Sequence, residues 1–154
     1  MNGKAFQDYW HHNQCWGCGN NKHGLHVKSY WDGNESICIW QPDSSHMAGP
    51  AGILNGGIIA TIIDCHSVCT AIANEYRIEN QDLDSKPIIW CVTASLKLDY
   101  LAPTPIENQI ILRSYVKDKK DRKTVIDCSL ISDNRETVKA EVLAVRVNPD
   151  KWYS

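Results

Sequence analysis

The stretch NGGIIATIIDCHSVCTAIANEY, residues 55–76, is apolar at nearly every position after its opening residues. A helix that is apolar on all faces is either a membrane span or a core helix that the rest of the protein surrounds. Asp64 and His66 interrupt the run, and two glycines open it. We therefore interpret Leu54 to about Arg77 as the core helix of a soluble protein.

Strand patterns flank this helix on both sides. The segments before it and after it are bounded by turn residues such as Asp32-Gly33-Asn34. They predict two strands before the helix and four after it: His26–Trp31, Glu35–Trp40, Ile88–Leu101, Ile110–Lys117, Thr124–Ile131 and Thr137–Val147. The short connections among the last four predict an antiparallel meander.

Two strands, one long helix and four strands form an α+β layout. A single six-stranded sheet covers one helix on nearly all sides only by curling around it, although this pattern alone also fits other α+β folds. Residues 1–22 are predicted to be an irregular arm or a short helix. No repeat or linker divides the chain, so we expect one domain over residues 1–154.

The bulk composition excludes several classes of protein. With 154 residues, 43% hydrophobic and 22% charged, the chain fits one globular domain. A net charge of −2 gives no basis for binding nucleic acid or an anionic membrane. The first residues lack the apolar core of a secretory signal, and we expect no apolar run to be long enough to span a bilayer. Seven cysteines in apolar segments are interpreted as reduced thiols, so we expect a cytoplasmic protein.

Asp64 is the main candidate for chemistry, because a carboxylate inside an apolar helix is costly unless it is paired or functional. Gly57 lies seven residues earlier on the same helix face. It also lies where free N–H groups and the helix dipole can receive an oxyanion. Seven residues correspond to about 10 Å, too far for both groups to act on one carbonyl carbon. An antiparallel helix from a second subunit would bring one chain's Asp64 to the other's Gly57, which predicts an active site shared between subunits.

Three segments together resemble the PaaI-like acyl-CoA thioesterases of the hotdog superfamily. They are CWGCGNNKHGLHV (15–27), GPAGILNGGIIATIIDCHSVCTA (49–71) and TASLKLDYLAPTP (93–105). The resemblance extends from Cys15 to about Val147. It implies the hotdog fold, a curved antiparallel sheet wrapped around one long central helix.

The resemblance also implies a reaction, the hydrolysis of an acyl-CoA thioester to a carboxylic acid and free coenzyme A. Asp64 would be the general base or the nucleophile, and Thr93 would hold the water or orient Asp64. The N–H of Gly57, with Gly56, would form the oxyanion hole. No metal or redox cofactor is implied, and coenzyme A enters only as part of the substrate. The expected assembly is a homodimer or a dimer of dimers.

Two positions depart from the family pattern. Asn55 stands where many relatives have histidine; its amide can donate a hydrogen bond to the thioester oxygen but cannot titrate. Cys65 stands where relatives with this N-terminal element often carry an acid. These departures keep open a non-catalytic acyl-CoA-binding protein as an alternative.

His46, in the loop before the helix, supports a second alternative. A histidine before a Pro- and Gly-rich turn is similar to the catalytic histidine of the hotdog dehydratases. By that resemblance, His46 would act with Asp64 in hydration or dehydration. The competing interpretation is a loop histidine or one that lines the mouth of the acyl pocket. His66, two positions after Asp64, points to another helix face and is interpreted as a core or interface residue.

A basic segment lies between two predicted strands. KDKKDRK, residues 117–123, is interpreted as a solvated hairpin turn. Its cations are alternatively candidates for binding the coenzyme A phosphates: Lys119, Lys120, Arg122 and Lys123.

Cys15-x-x-Cys18 with His23 and His26 has some features of a zinc site. Structural zinc sites usually have two ligand pairs that a longer loop separates, whereas these four residues lie within twelve positions. We therefore favour a tight turn with buried thiols, and no metal site.

Overall fold

The computed structural model describes residues 3–152. Its helices and strands are β1 (Tyr30–Asp32), β2 (Glu35–Trp40), α1 (Gly56–Ile78), β3 (Trp90–Tyr100), β4 (Ile110–Lys120), β5 (Lys123–Ser132), β6 (Arg135–Val147) and α2 (Pro149–Trp152). The predicted N-terminal arm contains a short 3-10 helix, Phe6–Tyr9. The prediction of one domain over residues 1–154 includes residues 1, 2, 153 and 154, which lie outside the described range.

Helix α1 begins where the sequence pattern places it. The Asn55 carboxamide caps it, since Oδ1 accepts hydrogen bonds from the N–H groups of Gly57 (2.8 Å) and Ile58 (3.2 Å). Thirteen of its 23 residues are buried. By length and composition alone the helix could cross a membrane, so the prediction that no apolar run is long enough was wrong. In this fold, the sheet covers it instead.

All strand pairs in the six-stranded sheet are antiparallel, and the strand order is β1-β2-β4-β5-β6-β3. The prediction of a four-strand meander was therefore wrong for β3, which pairs with β6 at one edge of the sheet. The connection after β3 does not form a hairpin, because it is bonded to the loop before α1. Leu54 donates its N–H to the Thr104 carbonyl, and Ile106 to the Gly52 carbonyl, both at 2.9 Å. Strand β4 then pairs with β2.

The sheet curves around α1 and forms the core with it. Along β4 and β5, buried and less buried residues alternate, as expected for strands that cover a helix on one face. The largest fully buried side chains include Ile62, Ile63, Ile72 and Tyr76 from the helix, and Ile110, Leu112, Ile126 and Leu130 from the sheet. This arrangement confirms the predicted α+β hotdog fold.

A buried polar network surrounds His66, which is fully buried. Its Nδ1 lies 2.8 Å from Ser29 Oγ and its Nε2 lies 3.2 Å from Ser36 Oγ. Burial lowers the pKa of His66 to about 3, so the imidazole is neutral at physiological pH. The interpretation of His66 as a core residue is therefore confirmed.

Candidate active site

Asp64 lies on the third turn of α1 and is half-buried. Thr93, on β3, donates a hydrogen bond from Oγ1 to Asp64 Oδ1 at 2.6 Å. Burial raises the pKa of the Asp64 carboxyl above its usual range, and the hydrogen bond from Thr93 opposes part of that rise. The structure thus brings together the two residues that the sequence paired, a carboxylate and a hydroxyl that donates a hydrogen bond to it.

The start of α1 differs from a simple oxyanion hole. The Gly57 N–H donates to Asn55 Oδ1 and is therefore occupied by the helix cap. A Cβ at position 57 would lie 3.1 Å from that same oxygen, so glycine leaves room for the cap. Both hydrogen bonds of the Asn55 carboxamide use Oδ1, and within residues 3–152 its Nδ2 donates none. Because Asn55 is exposed, the Nδ2 hydrogens are available to a ligand.

Tyr100 is a site residue that the sequence analysis did not propose. Its hydroxyl donates to the Gly56 carbonyl at 2.7 Å, so the end of β3 contacts the start of α1. The residue remains 54% exposed, beside the Asn55-Gly56-Gly57 turn. The tyrosine in the motif TASLKLDYLAPTP was the sequence signal that could have identified it. Only the packing of β3 against α1 shows that this tyrosine lies at the start of the helix.

His46 lies beside the helix start, but its imidazole is already engaged. Its backbone carbonyl accepts the Asn55 N–H at 2.9 Å. Its Nδ1 accepts the Asp43 N–H at 3.0 Å, and its ring centroid lies 5.1 Å from that of Trp40. Within the described chain, His46 and Asp64 share no hydrogen bond or ion pair.

The four basic candidates lie at the other end of α1. Lys119 Nζ forms an ion pair with the buried carboxylate of Glu75 at 3.0 Å. Glu75 is eleven residues beyond Asp64, about 16 Å along the helix. Lys120, Arg122 and Lys123 are exposed at the β4–β5 hairpin. Within one chain, therefore, these cations lie far from Asp64.

One edge of β3 runs past the candidate site. Strand β3 pairs with β6, and within residues 3–152 no strand pairs with its other edge. Thr93, Ala94 and Ser95 are exposed on β3, where the strand contains a bulge. Asp64 and Gly57 remain seven residues apart on one helix, so the site of a single chain does not contain both groups at one carbonyl carbon.

No cluster forms from Cys15, Cys18, His23 and His26, the set that the sequence did not favour as a metal site. His23 and His26 are exposed, whereas Cys15 and Cys18 face Cys65 of α1, with the three sulfur atoms within 4.8 Å of one another.

Comparison with known proteins identifies the family. A family model described as Thioesterase superfamily matches residues 51–139, more than half of the chain. The acyl-coenzyme A thioesterase THEM4 of Rattus norvegicus is 29% identical over 117 residues, which are 75% of this chain and 44% of that protein. The corresponding Xenopus laevis protein is 28% identical over 109 residues, 71% of this chain and 43% of that protein. The chain thus spans less than half the length of these curated relatives.

Solved structures agree with this result. A thioesterase superfamily protein from Shewanella loihica PV-4 is 33% identical, with a TM-score of 0.65, over 83% of this chain and 96% of that chain. The PaaI protein of the Escherichia coli phenylacetic acid degradation operon is 11% identical, with a TM-score of 0.64, over 80% of this chain and 81% of that chain. This second likeness concerns the fold alone. The chain belongs to the thioesterase superfamily, and its fold is the PaaI-like hotdog fold.

Proposed function

We propose that this protein is an acyl-CoA thioesterase, which hydrolyses a thioester to a carboxylic acid and free coenzyme A. The main supporting observation is the 2.6 Å hydrogen bond that Thr93 donates to the half-buried Asp64 in a chain of this superfamily. The activity named for the THEM4 relatives supports the same reaction. Release of free thiol from a panel of short, long and phenylacetyl CoA thioesters tests it; no turnover on any of them would contradict it.

Asp64 acts on the thioester carbonyl in one of two ways. As a general base, the carboxylate takes a proton from water while the water attacks the carbonyl carbon. As a nucleophile, it attacks that carbon directly, and water then hydrolyses the mixed anhydride to release the acid and restore Asp64. Thr93 holds the carboxylate in position through its hydroxyl. In both cases, the carbon–sulfur bond breaks and the coenzyme A thiolate leaves without a strong general acid.

The oxyanion requires a hydrogen-bond donor on the opposite side of the carbonyl. Asn55 Nδ2 supplies this donor at the start of α1, because Oδ1 keeps the cap while Nδ2 faces the substrate. The Gly57 N–H becomes a donor only when the Asn55 side chain rotates away from it. Gly56 contributes by holding Tyr100, whose hydroxyl donates to the Gly56 carbonyl.

The complete site is formed by two copies of the chain. The unpaired edge of β3 is a strand-addition surface, and it lies next to Thr93, the partner of Asp64. A second copy added at this edge would place its own Asn55 turn opposite Asp64. The protein is therefore a homodimer or a dimer of dimers with shared active sites.

We expect Ala94→Arg to convert the assembly to monomers and to lower kcat by at least about tenfold, because each copy would place a charge in a paired strand. Light scattering coupled to size-exclusion chromatography measures the mass, and thiol release measures kcat. Gln109→Arg is the matched control, since Gln109 is exposed in the β3–β4 connection. A wild-type protein that is active as a strict monomer would refute the shared site.

His46→Ala distinguishes this proposal from hydration by a His46–Asp64 pair. We expect its kcat for thioester hydrolysis to stay within about threefold of wild type, because the imidazole bonds to the Asp43 N–H and the carbonyl that holds Asn55 is retained. Thiol release and hydration of an enoyl-CoA are both measured. Loss of thiol release at an unchanged melting temperature would contradict the expectation that the His46 imidazole takes no part in hydrolysis.

Exposed cations provide a place for the coenzyme A phosphates in such an assembly. The buried carboxylate of Glu75 pairs with Lys119, which leaves three exposed cations at the hairpin: Lys120, Arg122 and Lys123. The reaction itself needs no resident metal or redox cofactor, and the expected location is the cytoplasm.

A further inference from the structure

Four thiols converge beside Asp64, although the sequence separates them by up to 54 positions. Cys15 and Cys18 come from the N-terminal turn, and Cys65 and Cys69 lie one turn apart on α1. The Sγ atoms of Cys15 and Cys65 are 3.7 Å apart, and those of Cys18 and Cys69 are 3.8 Å apart. Those of Cys15, Cys18 and Cys65 all lie within 4.8 Å of one another.

The two pair distances match the sulfur spacing of a tetrahedral zinc site. The Sγ atoms of Cys15, Cys18 and Cys65 form the mutually close set, and Cys69 Sγ adjoins it through Cys18. A Zn–S bond of about 2.3 Å gives about 3.8 Å between any two sulfur ligands of a tetrahedron. Two ligand pairs, one in a tight Cys-x-x-Cys turn and one on a helix, separated by a long segment, are also the usual arrangement of a structural site. His23 and His26, which follow the Cys-x-x-Cys turn in sequence, are exposed and do not supply the second pair.

The turn is shaped to present its sulfur atoms to the helix. Gly19 donates its N–H to the Cys15 carbonyl at 2.8 Å and closes the turn. A Cβ at Gly17 would collide with Cys65 Sγ, so glycine is needed for this approach. Asn13 supports the turn from outside, as its Oδ1 accepts the Cys15 N–H at 3.0 Å and its Nδ2 donates to Cys18 Sγ at 3.5 Å. Such outer contacts orient the ligands of metal sites.

The donor set also suits zinc, because thiolate sulfur is among the ligands that Zn²⁺ binds. Cys15 is exposed, which gives an ion a path into the cluster.

We infer that Cys15, Cys18, Cys65 and Cys69 form a zinc site that fastens the N-terminal arm to the helical turn carrying Asp64. Each thiol that binds the ion as a thiolate releases its proton to solvent. This inference replaces the expectation of no metal site and does not depend on the proposed thioesterase activity.

Metal content tests this inference. The reduced protein is stripped with a chelator, reloaded anaerobically with Zn²⁺, desalted and assayed for zinc. We expect about one zinc per chain, and with Co²⁺ the absorption of tetrahedral thiolate ligation. Cys15→Ser and Cys65→Ser should each bind Zn²⁺ at least about 100-fold more weakly. Cys38→Ser and Cys128→Ser are matched controls, because these buried thiols lie elsewhere in the core, and both should retain the metal.

Cys15→Ser keeps the test decisive if Cys65→Ser fails to fold, because Cys15 is exposed. Zinc loading should also raise the melting temperature of wild type and not that of Cys15→Ser. The inference is overturned if reduced wild type retains no zinc, or if Cys15→Ser retains zinc and its thermal shift at wild-type levels.

Discussion

We expect Asp64→Asn to lower kcat for acyl-CoA hydrolysis by about 10²–10⁴-fold while changing substrate affinity little. The amide has nearly the shape of the carboxylate, so Thr93 can still donate to its oxygen. It can neither accept a proton from water nor attack the carbonyl. Because burial raises the pKa of Asp64, folding of the wild type bears a desolvation cost that the neutral amide avoids, so the variant should be at least as stable as wild type.

The measurement is free thiol release from short, long and phenylacetyl CoA thioesters, with affinity measured by calorimetry. Asp133→Asn is the control, since Asp133 is exposed in the β5–β6 turn at a φ of 50°, where asparagine is tolerated. Equal kcat in wild type and Asp64→Asn would remove Asp64 from the mechanism. Tight binding without turnover in wild type would instead identify an acyl-CoA-binding protein.

Local patterns were sufficient to predict the helix and most strands. The apolar run and the Asn-Gly-Gly start placed α1 within two residues of its observed bounds. The β1–β2 and β5–β6 turns follow the Asp, Asn and Gly signals that tolerate positive φ. Such features depend only on residues close in sequence, so one sequence is enough to predict them.

The position of β3 depends on contacts that no local pattern displays. The connection after Tyr100 has the length of a short loop, which favours adjacent strands. Its partners are carbonyl and amide groups of the loop before α1, about fifty residues away in sequence. These long-range bonds carry the chain across the sheet, and they also bring Thr93 to Asp64 and Tyr100 to Gly56.

The thiol cluster also depends on long-range contacts that no local pattern displays. Cys65 and Cys69 were interpreted as buried apolar positions, because each fits the helix pattern by itself. Only the folding of the N-terminal turn onto α1 shows that they face Cys15 and Cys18. The sequence also left the oxyanion donor undecided. Asn55 before two glycines fits both a helix cap and a substitute for the histidine that the family resemblance implies.

Asn55→Asp separates these two roles of Asn55, and we expect it to lower kcat by about 10²–10³-fold at nearly unchanged stability. The carboxylate keeps both hydrogen bonds from the Gly57 and Ile58 N–H groups, and it interacts favourably with the helix dipole. It loses the Nδ2 donor and places a negative charge where the oxyanion develops. Thiol release measures kcat, and thermal unfolding measures stability.

Asn55→Ala then decides which group binds the oxyanion. If Asn55 Nδ2 is the donor, the alanine variant loses kcat to about the same extent as Asn55→Asp and also loses about 1 kcal/mol of stability with the cap. If the Gly57 N–H is the donor, removal of Oδ1 frees that group, and Asn55→Ala should match or exceed the wild-type kcat while Asn55→Asp stays impaired. Asn55→His, which restores a side-chain N–H donor, should remain within about tenfold of wild type only in the first case. We expect the first outcome, because Oδ1 occupies the Gly57 N–H and Nδ2 is the donor left exposed at the start of α1.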